Sequence, residues 1–206
     1  VDANGVINTV VVSGGDVDAT EAGVIQSISG YVGTASDYDI TDNAAALISA
    51  GDEVLNVAGV DIVTASDTSV NANIGGDLAG FTAEIEFDVV DNAAGLIAEM
   101  GGADVAGHLT EANSITVDDT QTGSVVNAND GAILAGFTAD VGFDVVDTAD
   151  NIALEVAGGS NSGDELNSVD ANGVINTVVV SGGDVDTTEA DAIQSISGYV
   201  GTASDY

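Results

Sequence analysis

The amino-acid sequence predicts an α/β repeat protein, a solenoid-like stack of short parallel strands alternating with short helices. Three observations predict it. A long segment occurs twice, a shorter unit recurs three times within the period this defines, and each unit couples a β-patterned run to an Ala/Leu segment with a helix-start triplet.

The long duplication is nearly exact. Residues 1–38 return at 169–206, an offset of 168, with three changes: Ala19 becomes Thr187, Gly23 becomes Asp191 and Val24 becomes Ala192. A chain that opens and closes on one stretch reads as a full period of a longer array plus an overlap. Val1 in place of an initiating Met fits a processed or excerpted chain.

The shorter unit has a Gly-aromatic pair followed by an aromatic-Asp strand. It appears as Gly30-Tyr31 to Tyr38-Asp39-Ile40-Thr41-Asp42, as Gly80-Phe81 to Phe87-Asp88-Val89-Val90-Asp91, and as Gly136-Phe137 to Phe143-Asp144-Val145-Val146-Asp147. The domain organisation that follows is the end of a preceding unit at 1–38, then units at 39–87, 88–143 and 144–206, the last of which ends on the copy of 1–38. Their lengths of 49, 56 and 63 sum to the 168-residue period. With Tyr199 and Tyr206, every aromatic residue belongs to this signature, so the aromatics are expected to mark the core.

The elements follow from local pattern. Ala83–Val89 alternates apolar and polar residues, as a half-buried strand does. Val10–Val12 and Val178–Val180 are β-branched runs expected to be strands buried on both faces, and Ile62-Val63 and Ile115–Val117 are the matching strands elsewhere. Each signature strand runs into Asp-Asn/Thr-Ala at Asp42, Asp91 and Asp147, where an Asp can accept the orphan N–H groups of a helix start. Leu47 and Ile48, Leu96 and Ile97, and Ile152 with Leu154 then form short apolar faces. A second helix in each unit is expected around Ile74 and Leu78, Ile133 and Leu134, or Ile193 and Ile196. Crossovers this short favour a parallel ladder. The alternative is an all-β array, a β-helix or β-sandwich modules, with the Ala-rich pieces as turns or strands.

Composition sets the surroundings. The chain of 206 residues has no Lys, Arg, Cys or Pro, and 35 Asp plus Glu give a formal charge of −35. Acidic chains are often disordered for want of apolar surface, but here 45% of residues are hydrophobic, mean hydropathy is +0.30, and the apolar residues are periodic. No salt bridge to Lys or Arg can form, so repulsion is relieved by salt or bound cations. Nothing can neutralise phosphates, which excludes nucleic acid as a partner. An anionic membrane repels the chain, and no apolar run is long enough to span one. Trypsin-like proteases find no site. Saline surroundings and protease exposure together point to an extracellular or cell-surface place. Without Cys there is neither a disulfide framework nor a thiolate metal site.

Strands ending in Asp-Asn/Thr-Ala, followed by an Ala/Leu segment and another Val/Thr-rich strand, resemble the repeats of very large bacterial surface proteins. Those proteins often have RTX (hemolysin-type calcium-binding) modules elsewhere. The resemblance implies an adhesin, surface layer or filament in a calcium-containing saline medium. The calcium-binding nonapeptide of true RTX repeats is missing, so no ligand set transfers with it.

Calcium takes oxygen ligands from carboxylates and carbonyls, and the candidate ligands are read from the residues themselves. Asp2-Ala3-Asn4-Gly5, repeated as Asp170-Ala171-Asn172-Gly173, is similar to the middle of an EF-hand loop. The register that begins at Ser168 puts Val179 where the bidentate Glu belongs. The bland reading is an Asn-Gly turn. Other candidates are Asp16 with Asp18, the copies Asp184 with Asp186, and Asp37 with Asp39, which share a strand face; Asp42 lies nearby, and adjacent Asp118 and Asp119 would diverge. His108 is the only histidine and has no assignable Ser-Asp partners. Carboxylate pairs can hydrolyse glycosides, but near-identical repeats are unlike the single irregular constellation an active site needs. Gly101-Gly102 and Gly158-Gly159 lack the residues of a phosphate-binding loop.

The expectation is therefore a non-enzymatic structural protein. Its partner is itself, as a homopolymer or tandem array, with glycan or cell-surface contact as a further compatible partner. The alternative is a calcium-dependent adhesin spacer.

Overall fold

The computed structural model describes residues 9–100, 109, 111–118, 125–135, 141–157, 166, 173–182 and 184–196. The chain forms two compact units. The first comprises 1–70, 74–88 and 111–113, and the second 71–73, 89–110 and 114–206. Both are α/β, built from parallel strands alternating with short helices.

In the first unit β1 (Ser13–Val17), β2 (Asp37–Asp42), β3 (Val60–Ala65) and β4 (Ile85–Glu86) form a parallel sheet in chain order. α1 (Ala19–Ser27) crosses from β1 to β2, and α2 (Ala44–Ala50) with the single turn α3 (Asp52–Leu55) crosses from β2 to β3. Alternation dictates which side chains enter the core. Tyr38 and Ile40 of β2 and Val63 and Ala65 of β3 are buried, with Leu47 and Leu55 of the crossover helices. Gly59 opens β3 at φ 103°, and a Cβ there would lie 2.7 Å from the Tyr31 hydroxyl, so only glycine fits. α4 (Ala72–Ala79) opens on residues of the second unit and continues in the first.

The second unit contains β5 (Asp88–Asp91), α5 (Ala93–Met100), β6 (Ser114–Val117), β7 (Val125–Val126), α6 (Ala128–Ala135), β8 (Val141–Asp147), α7 (Ala149–Val156), β9 (Gly173–Val180) and α8 (Thr187–Gln194). β9 pairs with β8 from Val141 to Asp147. A strand has two edges, so β6, against Val141 and Gly142, and β7, against Asp144 and Val145, share the other one. β5 flanks β6. Val141, Phe143 and Val145 point inward beneath α6, where a Cβ on Gly131 would lie 3.0 Å from Val145 and 3.3 Å from Phe143. Glycine lets that helix approach the sheet.

Most expected elements form: strands at 62–63, 115–117 and 178–180, and helices around Leu47, Leu96, Ile152, Ile74, Ile133 and Ile193, but the single strand expected over Ala83–Val89 divides into β4 of the first sheet and β5 of the second. The helices rule out the all-β alternative. Of the aromatics, Tyr38, Phe87 and Phe143 are core residues, Tyr31 and Phe81 are half-buried, and Phe137, Tyr199 and Tyr206 lie outside the described residues. Two expectations fail. β1 begins at Ser13, beyond the valine run, and Val10 makes only an isolated bridge to Tyr31. Nor are the valine runs buried on both faces: Val179 is 48% exposed and Val11 47%, because the helices cover one face of the ladder at these places.

Candidate functional site

Seven helices start with a triplet of two alternating kinds. Val17-Asp18-Ala19, Val70-Asn71-Ala72, Val126-Asn127-Ala128 and Val185-Asp186-Thr187 alternate in the chain with Asp42-Asn43-Ala44, Asp91-Asn92-Ala93 and Asp147-Thr148-Ala149. The first helical residue is a buried alanine in six of them: Ala19, Ala44, Ala72, Ala93, Ala128 and Ala149. The middle residue caps. Asp18 accepts the Glu21 N–H at 2.7 Å, Asn43 that of Ala46, Asn92 that of Gly95, Asn127 that of Asp130, Thr148 that of Asn151 and Asp186 that of Glu189.

Because the cap is the middle residue, the strand-end Asp is free for a different task. Asp42 accepts the Asn43 N–H and side-chain amide on Oδ1 and, on Oδ2, the N–H of Ala19, the first residue of α1, 23 residues back. Asp91 does the same with Asn92 and with Ala72 of α4, both within the second unit. Asp147 takes the Thr148 N–H, the Asn151 amide and the Ala128 N–H of α6. Each carboxylate thus joins the start of its own helix to the start of the helix before it, where the positive end of the dipole favours an anion. Asp67 gives Ala44 of α2 an equivalent acceptor at 2.6 Å. Burial pulls the Asp147 carboxyl upward, but its three hydrogen-bond donors outweigh that and hold it below the ordinary carboxylate range. Asp52, on α3, is also held low: desolvation opposes, and the Thr82 and Ala83 donors prevail.

The sequence-derived cation ligands divide three ways. Asp2, Asn4, Asp170 and Asn172 lie outside the described residues, as does His108. Asp18 and Asp186 are helix caps closed by Glu21 and Glu189 in capping boxes. Asp39 accepts the Ile62 N–H at 3.1 Å and is the register partner of Asp16 on the neighbouring strand, so the structure brings Asp16 to Asp39 rather than to Asp18. Asp37 pairs in register with Ser13, and both are exposed. Asp184 is an exposed residue before α8. No group of three acidic or histidine side chains positioned for a metal exists among the described residues.

Two polar features escape the sequence reading. Gln26 donates to the Tyr38 hydroxyl at 2.9 Å and to the Val54 carbonyl, tying α1 to β2 and α3. Burial and the neighbouring Tyr31 hydroxyl push Tyr38 up to about 12 despite the Gln26 donor, so it stays a neutral core phenol. In the second unit Glu189 of α8 hydrogen-bonds with Asp150 of α7, which raises it, against the opposing pull of the Asp186 N–H. No local pattern announces either pair. The caps after valine are missed as well, Asp18 and Asp186 being read as cation ligands, although the recurring Val-Asp/Asn-Ala/Thr triplet is a signal that could have found them.

Compared with protein-family models, curated proteins and solved structures, the chain finds no match in any of the three.

Proposed function

We propose that this chain is a section of an extracellular structural protein that builds a filament, sheath or surface-layer element by stacking tandem units, and that it is not an enzyme. The single observation that supports this most is one construction rule used three times. Asp42, Asp91 and Asp147 each fasten two successive helix starts with three donors: the N–H of the next residue, an asparagine amide (Asn43, Asn92 and Asn151) and the N–H of the first residue of the preceding helix. Catalysis needs one irregular constellation, whereas a repeated fastening suits a stack whose neighbours bury one another. A 38-residue segment that recurs at an offset of 168 residues carries the repetition beyond one period. An anionic surface without Lys or Arg keeps such a stack hydrated and suits a saline, protease-exposed exterior.

Imaging of the purified protein in concentrated salt tests this. Filaments with a constant axial repeat are expected, and discrete monomers at every ionic strength overturn it.

The calcium-dependent adhesin spacer is the second reading, and the register pairing of Asp16 with Asp39 favours it. The two residues stand roughly 5 Å apart by backbone on adjacent parallel strands, which brings two like charges into one neighbourhood, and a bound cation would relieve their repulsion. Under that reading chelation lowers the melting temperature well beyond the change given by matched ionic strength. Equal shifts would remove calcium from the proposal.

A further inference from the structure

Four helices have the N–H of their first residue held by a distant carboxylate, and all four are held from the same direction. Ala19 of α1 donates to Asp42, Ala44 of α2 to Asp67, Ala72 of α4 to Asp91 and Ala128 of α6 to Asp147, at 2.6–3.2 Å. The acceptor lies 19 or 23 residues toward the C-terminus, at or just past the end of β2, β3, β5 or β8. Among the described residues no first helical N–H is held by a carboxylate from the N-terminal side.

The two partners of such a bond do not depend on each other equally. A first helical N–H is a single donor, and Ala19, Ala44, Ala72 and Ala128 are all buried, so a lost acceptor leaves that donor with little access to water. The carboxylate has two oxygens and other company. Asp42 keeps the Asn43 N–H and amide on Oδ1, Asp91 keeps those of Asn92, and Asp147 keeps the Thr148 N–H and the Asn151 amide. Asp67 is exposed to solvent. Losing the strand that follows therefore strips a helix of its fastening, whereas losing the helix before leaves the aspartate satisfied.

We infer that the fold is locked in one direction along the chain. With a strand and the helix after it counted as one rung, each helix is held shut by the rung that follows, so local opening spreads toward the N-terminal side and stops toward the C-terminal side. In the first unit this makes a relay. Release of Asp67 frees the start of α2, whose cap is Asn43, and Asn43 is what positions Asp42 for Ala19 of α1. Loosening of α1 has no such route forward, since Asp42 is positioned by Asn43 and not by Ala19. Side-chain packing couples neighbours both ways; these bonds add the bias. Each rung added to such a ladder completes the one before it. The polarity belongs to the single chain, with or without filaments.

Native-state hydrogen exchange of the full chain, read helix by helix, tests the direction. Asp67→Ala should speed exchange of the α2 amides several-fold and of the α1 amides by a smaller factor. It should leave α4 unchanged, although α4 begins closer to Asp67 in the chain. Asp18→Ala removes the cap of α1 and should speed exchange in α1 several-fold while α2 stays as in the parent. Asp67→Asn keeps an acceptor oxygen and should return most of the α2 protection. The direction is overturned by a D67A chain that leaves α2 or α1 untouched or loosens α4 as much as α2. A D18A chain that loosens α2 as much as α1, or either variant speeding every helix alike, overturns it too. A D67N chain as loose as D67A overturns the hydrogen bond as the cause.

Discussion

α1 and α8 differ at three positions in thirty-eight of their surrounding sequence, yet they bury different sides. α1 turns its alanines, Ala19 and Ala22, onto α2 and α3 and leaves Ile25 half-exposed. α8 turns Ile193 onto α7 and leaves Ala190 half-exposed. The three differences all fall within the helices, at Thr187, Asp191 and Ala192 of α8, but the two helices share an alanine (Ala22, Ala190) and an isoleucine (Ile25, Ile193), and the burial of these shared residues is exchanged. The pair teaches that burial here belongs to the neighbour and not to the residue, so equal substitutions in the two copies must have unequal effects.

The largest difference is expected at the isoleucines. Ile193→Ala removes a fully buried side chain and should cost about 2–5 kcal/mol, whereas Ile25→Ala, at a half-exposed site, should cost about half as much or less. Denaturant unfolding of dilute protein measures both, and equal losses would show that the two settings are not distinct. The alanines reverse the order. Ala22→Leu forces bulk between α1 and its neighbours and should cost about 1–3 kcal/mol, while Ala190→Leu should stay within about 0.5 kcal/mol. A large cost at Ala190 would mean that its flank is already covered within the chain.

The comparison also explains what could be read before the fold was known. Periodicity located β4, β5, β8 and the helices at Leu47, Leu96 and Ile152, because each buries one face and the pattern records it. Exposure of Val179 could not be read that way, since a run of three valines says nothing about which face a helix will cover. The strand-end Asp was read as a helix cap. Its own triplet made it look local, but the decisive donors, Ala19, Ala72 and Ala128, lie 19 to 23 residues upstream and meet it only through the parallel ladder. The pairing of Asp16 with Asp39 is likewise a matter of strand register, which composition does not contain.

That ladder contact supplies a third way to separate the local from the distant. Asp147→Ala withdraws the acceptor from Ala128, Thr148 and the Asn151 amide together and should cost about 1–3 kcal/mol at neutral pH. Folding favours the ionised form, because the folded pKa is depressed. The stabilisation is therefore complete above the ordinary carboxylate value near 3.8 and is lost as pH falls through the lower folded value. Urea midpoints of parent and variant, measured at stepped pH, should converge in that acid window. A gap that persists once the carboxyl is protonated would mean that Asp147 acts through packing instead of charge.

The smallest effect distinguishes the two capping boxes. Asp18 with Glu21 and Asp186 with Glu189 have the same geometry. Only the second is described with an acidic neighbour on the preceding helix, Asp150, whose hydrogen bond raises Glu189. A carboxyl with a raised folded pKa has the opposite sign from Asp147: folding holds its proton more tightly, so its contribution is present at low pH and is lost as pH rises through the folded value. Asp150→Asn removes the like charge. It should raise the urea midpoint slightly at pH 7 and lose that advantage in acid, once Glu189 holds its proton. Asp150 also lies in the first turn of α7, where an anion is favoured by the helix dipole, and that loss works against the gain. If the dipole outweighs the repulsion, the midpoint at pH 7 falls on substitution, and the two boxes then differ in appearance but not in energy.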